Sequence, residues 1–325
     1  MASSTRSALG GRDVPALPLP ERRARTHIRR FGRLTPWVFL APFLVFFVAF
    51  VLGPAVFGVW VSLHDWDFNL PNKPFVGIEN YVNLFTPGSR DFEEFWQSMA
   101  NTATFVVISV PFLVVLPLGV ALLLNRAFPG RTVYRAVFFA PYVLSVSVIG
   151  LLWRYLLDTH LGPVNAALGF LGLPDDIPWL QSQPAAWISI VVATVWWTLG
   201  FNAIILLAGL QNISPEQYEA SALDGANARQ QFRYVTLPGL RPVLVFVFLI
   251  TVLASANLFG QSYVITQGGP SGSTQTAIMY ISSTGLASFR MGAAAAMSYL
   301  LALFLVVVSL VNIAITARGG RGKRA

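Results

Sequence analysis

The sequence predicts an all-α, polytopic membrane protein with six transmembrane helices. Of its 325 residues, 55% are hydrophobic and only 11% are charged, whereas an ordinary soluble domain carries about 25% charged residues. Long stretches contain no charge at all, and the lysines and arginines gather in the segments between them. Together these observations exclude a disordered chain, a coiled coil and a soluble enzyme of normal composition.

Six stretches are apolar and long enough to cross a bilayer, which takes about 20 mostly apolar residues. The uncharged run from Pro242 to Phe289 is too long for one crossing, and a segment rich in glycine at 267–273 divides it. Because lipid offers the backbone no hydrogen-bonding partner, all six spans are predicted to be helices. The predicted spans are 37–63, 99–125, 136–157, 185–210, 242–266 and 292–317.

The positions of lysine and arginine predict the orientation of these spans. Most of them precede span one, follow spans two and four, or follow span six, and the opposite face carries only Lys73, Arg90, Arg154 and Arg290. Both termini are therefore predicted to be cytoplasmic. The chain divides into a basic, disordered arm (1–34), a six-helix domain (35–317) and a basic tail (318–325). The net charge of +8 then reflects topology in a lipid bilayer and not nucleic-acid binding.

Several kinds of chemistry are missing from the sequence. It has no cysteine and three histidines, none of which has a second histidine at helical spacing, so no metal site is predicted. It contains no G-x-x-x-x-G-K-[ST] motif, so the chain does not itself cradle a nucleotide phosphate. No carboxylate falls at mid-membrane depth, where ion-coupled carriers keep one. Energy for any transport is therefore expected to come from elsewhere.

The two larger loops on the outward face, 64–98 and 158–184, are long enough to form small folded caps. Their tryptophans and tyrosines are expected either to pack and anchor at the membrane interface or to contact an extracytoplasmic partner.

The cytoplasmic loop 211–241 has clear local signals for two short helices. Ser214 followed by Pro215 predicts the start of the first helix, with Gln217 completing a capping box. Gly225 predicts its left-handed end. Asn227 is predicted to cap a second short helix, which should end before Leu237 and Pro238 because a proline disfavours helix at the residue before it.

This loop resembles the EAA loop of bacterial ABC importer permeases, whose pattern is E-A-A, three residues, G, nine residues, I-x-L-P. Here Glu219-Ala220-Ser221 precedes Gly225 at that spacing, and nine residues later Val235-Thr236-Leu237-Pro238 follows. Serine stands for alanine at 221 and valine for isoleucine at 235, and both substitutions keep the size class.

Shorter matches extend the resemblance over about residues 35–317. Phe75-Val76-Gly77-Ile78-Glu79-Asn80-Tyr81, Gly162-Pro163-Val164-Asn165, Gly209-Leu210-Gln211-Asn212-Ile213 and Gly268-Gly269-Pro270 resemble, in order and spacing, the sugar-importer permeases. The chain is thus similar to permease subunits of maltose and glycerol-phosphate importers. The resemblance implies the type I importer fold and ATP-driven, binding-protein-dependent uptake of an oligosaccharide, a disaccharide or a glycerol-phosphate compound across a bacterial cytoplasmic membrane.

The resemblance also implies the partners. They are a second, related permease, two cytoplasmic ABC ATPases that bind ATP and Mg²⁺, and an extracytoplasmic sugar-binding protein or lipoprotein. This chain is then a non-catalytic subunit that binds no cofactor itself. The residues predicted to couple it to the ATPases are Tyr218, Glu219, Ala220, Ser221, Asp224, Gly225, Leu237 and Pro238.

A sugar needs hydrogen-bonding side chains along its path rather than fixed charge. The predicted translocation-pathway residues are Asn101, Asn202, Ser255, Asn257 and Gln261, with Asn257 and Gln261 on one face of span five because they are four apart. Their alternative role is to hold helices together. Three other functions remain open: an ABC permease for a non-sugar solute, a self-contained secondary carrier, and a membrane-anchored assembly protein.

Overall fold

The computed structural model describes residues 35–321, so the predicted arm 1–34 and the end of the predicted tail lie outside the described residues. Within 35–321 the regular structure is helical, with two isolated β-bridges and no strand. Wider, π-helical turns occur at Val48–Leu52, Phe232–Thr236, Ser262–Thr266 and Ser283–Ala287. The helices are α1 (Thr35–Phe47), α2 (Gly53–Ser62), α3 (Glu79–Asn83), α4 (Phe92–Asn125), α5 (Arg131–Val143), α6 (Val146–Leu156), α7 (Pro163–Phe170), α8 (Ala185–Gln211), α9 (Pro215–Leu223), α10 (Ala228–Gln231), α11 (Leu237–Ala256), α12 (Ala277–Ser282) and α13 (Met291–Arg321).

Five helical segments of the described chain are long and apolar enough to cross a membrane: Pro36–Ser62, Phe92–Asn125, Ala185–Gln211, Ala228–Ala256 and Met291–Val311. The pair α5 and α6 supplies a sixth span if it is counted as one crossing. The described helices therefore agree with the predicted all-α, polytopic class.

The third predicted span is not the single helix expected over 136–157. Instead α5 and α6 meet at a bend of 96°. The backbone groups freed at the bend find side-chain partners, since the indole Nε1 of Trp197 donates to the carbonyl oxygen of Leu144 over 3.2 Å. On the other side of the bend, Ser145 caps α6 by accepting from the backbone N–H of Val148 at 3.4 Å. Non-helical backbone at membrane depth is tolerated only where such partners exist.

The segment 35–54 forms a unit of its own. Its aromatic side chains stack along the helix one turn apart, Phe43 on Phe47 with ring centroids 5.8 Å apart and Phe46 on Phe50 at 6.1 Å. In this segment nearly every side chain is exposed, as expected for a helix that faces lipid.

Helix α4 organises the second unit, which begins at residue 55. At about 1.5 Å per residue its 34 residues extend about 50 Å. Near its start, Phe95 and Met99 pack with α12 and α13 around Tyr280 and Met297. Near its end it packs against α8 and α11 in a cluster that we call the lower cluster, formed by Ala121, Leu124, Leu206, Leu207, Leu210, Ile213, Leu240 and Val247.

The fifth predicted span, 242–266, is also interrupted. Helix α11 ends at Ala256 and helical structure resumes at Gly260, which corrects the expectation of one continuous span. The interruption is supported by buried hydroxyls: Thr276 Oγ1 donates to the carbonyl oxygen of Leu258 at 2.6 Å, and Ser262 Oγ donates to that of Thr274. The interruption of helical structure predicted at 267–273 is confirmed, and several of its residues have left-handed backbone.

The two larger loops predicted to be folded caps contain the short helices α3 and α7. In the first, Asn80 Nδ2 donates to the carbonyl oxygens of Ser62 and His64 at 2.8 and 3.0 Å. In the second, Asn165 donates to two backbone carbonyls and accepts from Trp179 Nε1 at 2.7 Å. These tryptophan and asparagine contacts give both segments a defined internal structure.

Gly200 lets α5 and α8 meet at backbone distance. A Cβ built on Gly200 would lie 2.1 Å from the carbonyl oxygen of Phe138 and 2.7 Å from the Cα of Phe139. Because both of these atoms belong to the backbone, α5 itself would have to move to admit any larger residue.

We therefore expect Gly200→Ala to lower the free energy of unfolding by about 1–3 kcal/mol, the usual cost of overpacking. The control is Gly119→Ala on α4, because a Cβ there meets nothing within 4 Å, and alanine gains up to about 1 kcal/mol in helix propensity. Thermal unfolding of the two variants in detergent measures the difference. Equal midpoints for the two variants would contradict the close approach of α5 and α8.

Candidate functional site

Helix α9 and the turn after it form a small element with a well-defined C-terminal cap. Ser214 occupies the N-cap and Pro215 the first helical position, as predicted. The capping box predicted with Gln217 is wrong, because the Ser214 side chain makes no capping hydrogen bond. The end of α9 is a Schellman motif, in which Gly225 N–H donates to the Ala222 carbonyl at 3.0 Å and Ala226 N–H to that of Ser221 at 2.9 Å. Gly225 has φ +80°, the left-handed backbone predicted from the sequence.

The second helix of the element begins at the predicted cap, Asn227, which forms a full capping box with Gln230. Asn227 Oδ1 accepts from the backbone N–H of Gln230 at 3.0 Å, and Gln230 Oε1 accepts from that of Asn227 at 2.8 Å. Its predicted end before Leu237 is wrong, because α10, the wider turn Phe232–Thr236 and α11 follow one another without a break. The π-helical turn just before Pro238 accommodates a residue that lacks an N–H donor, and Leu237 and Pro238 form the exposed first turn of α11.

Tyr218 fixes α9 to the rest of the protein. Its hydroxyl lies 3.0 Å from Thr236 Oγ1, and its carbonyl oxygen accepts from Ser221 Oγ at 2.8 Å and from Gln231 Nε2 at 3.4 Å. The ring of Tyr218 also packs against the lower cluster. Tyr218 and Ser221 thus form the inner face of α9.

The opposite face of α9 is open to solvent. Residues three and four apart share one side of a helix, and Glu216, Glu219, Ala220 and Leu223 are all exposed. We call these four residues the exposed face of α9. Leu223 is 90% exposed, an unusual position for a large apolar side chain. Asp224 and Gly225 continue this surface into the turn.

Leu223 is absent from the coupling residues predicted from the sequence. Its signal was present, because Leu223 lies on the opposite side of the helix from Tyr218 and Ser221, the two residues of α9 that face inward. An apolar side chain on that outward side of the helix is not needed to pack α9 against the rest of the chain.

A cavity of about 620 Å³ lies further along the same helices, between α4, α5, α8, α11 and the segment 257–261. Four of the predicted pathway residues line it: Asn202, Ser255, Asn257 and Gln261. Its remaining polar lining comes from Thr194, Thr198, Thr251 and Tyr142. Although the helix is broken between Asn257 and Gln261, both side chains still reach the same space.

One wall of the cavity is aromatic, which the sequence analysis missed. Tyr142 stacks on Phe201 with ring centroids 4.5 Å apart and planes at 14°, and Trp197 lies 6.2 Å from Tyr142. The helical spacing of Trp197 and Phe201, four residues apart on α8, was the available signal. Tyr142 joins them only because α5 approaches α8 at Gly200.

Asn202 and Asn101 have different surroundings. Asn202 Nδ2 donates to the Leu113 carbonyl at 2.9 Å and lies 3.5 Å from Thr251 Oγ1, so it joins α4, α8 and α11 at the cavity wall. Asn101 does not line this cavity. Its Nδ2 instead donates to the carbonyl oxygens of Gly272 and Gln275 at 2.9 and 3.0 Å, so it holds the 267–276 segment against α4.

An ion pair connects the start of α4 to the start of α13. The two terminal guanidinium nitrogens of Arg290, Nη1 and Nη2, donate to Asp91 at 2.7 and 2.6 Å, and the Asp91 side chain is almost fully buried. The hydroxyl of Tyr280 donates to the same carboxylate at 3.3 Å. Burial, reinforced by the negative charges of Asp91 and Glu94, raises the pKa of Tyr280 to about 12. Tyr280 therefore stays a neutral donor throughout the physiological range.

We expect Asp91→Asn to lower the free energy of unfolding by about 2 kcal/mol. Removing one partner of a fully buried pair costs about 3–5 kcal/mol, and the partial exposure of Arg290 reduces that cost. Glu93→Gln, at an exposed carboxylate two residues away, is the matched control. If Asp91→Asn and Glu93→Gln had the same free energy of unfolding in detergent, the Asp91–Arg290 pair would stabilise the protein no more than the exposed carboxylate of Glu93 does.

Across residues 35–321, no group of three or more histidine, aspartate or glutamate side chains is arranged to hold a metal ion. The described site has two parts. One is the short helix α9 with its exposed face. The other is an uncharged cavity lined by amide, hydroxyl and aromatic groups.

Comparison with known proteins identifies the family to which this chain belongs. The model of the family described as "Binding-protein-dependent transport system inner membrane component" matches residues 86–318. The trehalose/maltose transport system permease protein MalF of Thermococcus litoralis is 32% identical over 276 residues, which cover 84% of this chain and 92% of that protein. The arabinooligosaccharides transport system permease protein AraP of Halalkalibacterium halodurans is 31% identical, covering 92% and 95%.

Solved structures agree at the level of the fold. A chain in the crystal structure of a bacterial alginate ABC transporter, in complex with an alginate pentasaccharide-bound periplasmic protein, superposes with a TM-score of 0.76. It is 23% identical, and the match covers 87% of this chain and 94% of that chain. The family resemblance and fold class predicted from the sequence are thus confirmed. The chain belongs to the inner-membrane permease components of binding-protein-dependent ABC transport systems, multi-pass subunits in which ATP hydrolysis is left to separate subunits.

Proposed function

We propose that this chain is the permease subunit of an ATP-driven importer that carries a sugar across the cytoplasmic membrane of a bacterium, and that α9 is where its ATPases act. The observation that carries the proposal is the exposed face of α9, held rigidly on one side and open on the other. Relatives whose names specify trehalose/maltose and arabinooligosaccharides support a sugar as the cargo.

The contacts of α9 suggest how motion reaches the cargo. Tyr218 joins α9 to the turn that leads into α11, and its ring packs on the lower cluster, to which α4, α8 and α11 all contribute. The same three helices line the cavity. A partner that moves α9 as a rigid body therefore shifts the cavity walls, a displacement of packed helices typical of switching proteins.

Within this proposal the predicted coupling residues have different tasks. Glu219, Ala220, Asp224 and Gly225 meet the ATPase together with Leu223, whereas Tyr218 and Ser221 transmit the motion inward. Leu237 and Pro238 begin the helix that receives it. Asn202, Ser255, Asn257 and Gln261 form the pathway, and Asn101 secures the 267–276 segment at the other end of α4.

The assembly proposed around this chain has a second, related permease, two cytoplasmic ATPases holding ATP and Mg²⁺, and an extracytoplasmic sugar-binding protein or lipoprotein. Both termini of this chain are cytoplasmic, which puts α9 on the ATPase side. The segment 1–34 is a basic arm and 318–325 a basic tail beside the 35–317 domain.

Reconstitution of the whole complex into proteoliposomes tests this function. Uptake of a saccharide should require ATP, the binding protein and both ATPases. Uptake that persists without ATP would identify a secondary carrier instead, and ATP-driven uptake of amino acids or peptides but no saccharide would overturn the cargo. A chain that copurifies with neither an ATPase nor a binding protein would favour an assembly role.

A further inference from the structure

The cavity described above is free of charge. Among the described residues that line it, none is an aspartate, glutamate, lysine or arginine. Apart from the indole N–H of Trp197, which donates to the Leu144 carbonyl, its polar side-chain groups are hydroxyls and amides, which both donate and accept hydrogen bonds. The aromatic wall of Tyr142, Phe201 and Trp197 supplies flat apolar surface in the same cavity.

Gln261 adds a specific observation. The residue is 8% exposed and lines the cavity, and within 35–321 no protein group hydrogen-bonds its side-chain amide. In the described part of the chain, the enclosed side-chain atoms that lack a partner are Arg135 Nε and Trp153 Nε1, so the Gln261 amide is open to the cavity, where its N–H and carbonyl groups are available to a solute. An amide can satisfy a hydroxyl group in either direction, whereas it offers an anion only partial charges.

An anionic cargo would face an electrostatic penalty in this setting. Moving a carboxylate or phosphate out of water is costly unless a fixed opposite charge compensates it, and the described cavity lining offers none. An uncharged saccharide loses only hydroxyl–water hydrogen bonds, which the amides and hydroxyls replace, and its apolar ring face fits an aromatic surface.

We propose that this cavity selects uncharged saccharides and rejects cargo that bears a carboxylate or phosphate, including uronates and glycerol-phosphate compounds. This inference rests on the proposed function and narrows it. The proposed cargo differs from that of a structurally similar subunit, whose transporter is involved in the import of the acidic polysaccharide alginate. The likeness to that subunit concerns the fold alone and does not predict the charge of the cargo.

Two variants of opposite charge at one position test the charge of the cargo directly. Asn257 is exposed and lines the cavity, so a charge introduced there stays ionised. In the complete importer, Asn257→Glu and Asn257→Lys should lower uptake to a similar extent if the cargo is neutral, because the sign of the charge is then irrelevant. With an anionic cargo the glutamate variant would fall about tenfold or more below the lysine variant. Asn257→Gln and Asn257→Met are the uncharged controls for the lengths of glutamate and lysine.

The same proteoliposomes should then be offered neutral oligosaccharides and their uronate counterparts, each loaded on the cognate binding protein. ATP-driven uptake of neutral sugars only, with similar activity of the two charged variants, supports the inference. Uptake of a uronate, or a glutamate variant far below the lysine variant, overturns it and leaves the importer function standing. If no saccharide of either kind is taken up with ATP, the proposed function itself has failed.

Discussion

Replacement of Gly225 by valine is expected to reduce ATP-driven uptake by at least about tenfold while the helical bundle remains folded. Gly225 has φ +80°, a backbone conformation that costs a residue with a side chain about 1–2 kcal/mol, and β-branched valine tolerates it worst. A Cβ at this position meets no atom within 4 Å. The strain therefore falls on the turn itself and alters the angle between α9 and α10.

The control for this prediction is Gly225→Asn, because asparagine adopts the left-handed conformation more readily than other non-glycine residues. We expect it to retain most of the uptake that the valine variant loses. The decisive measurements are uptake, copurification of the ATPases and stimulation of ATP hydrolysis in one preparation. Wild-type uptake by Gly225→Val would contradict the assignment of this turn to coupling.

The turn after α9 could be predicted because its determinants are local. Gly225 and the Asn227–Gln230 capping box specify the backbone through their own conformational preferences and hydrogen bonds to neighbouring residues. The approximate positions of the spans follow similarly from hydropathy. These signals do not depend on which helix packs against which.

The two interrupted spans could not be predicted in this way. The bend after Leu144 is supported by Trp197, and the break at Leu258 by Thr276, so each depends on a partner distant in sequence. A hydropathy pattern registers only that a stretch is apolar. It cannot register that a side chain elsewhere satisfies a carbonyl released from the helix.

The residues around the cavity also divide into those that the sequence could predict and those that depend on distant contacts. Polar residues in apolar spans are conspicuous in a sequence, and Asn202, Ser255, Asn257 and Gln261 were found by that signal. Asn101 gave the same signal but contacts the 267–276 segment, because polarity alone does not specify a neighbour. The aromatic wall gave only the spacing of Trp197 and Phe201 as a signal, which does not stand out because tryptophan and phenylalanine are ordinary in a transmembrane helix.

Leu223→Gln is expected to lower ATP-driven uptake by about tenfold or more. Leu223 is 90% exposed, so its replacement removes almost no packing within the chain, and the stability of the bundle should stay within about 0.5 kcal/mol of the wild type. Apolar side chains that fill a pocket on a partner contribute about 1–2 kcal/mol or more to binding. The loss should therefore appear in the docking of the ATPases.

Leu223→Met is the matched control, because methionine keeps the apolar volume and fits irregular pockets, and uptake should survive it. Comparing the salt dependence of ATPase copurification adds an independent readout, since loss of an apolar contact weakens docking at every ionic strength, whereas charge changes at Glu216 or Glu219 act mainly at low salt. Equal uptake by the glutamine and methionine variants would mean that the ATPase does not contact this face of α9. In that case the contact would have to lie in the turn at Asp224 and Gly225, where the Gly225→Val result would still locate it.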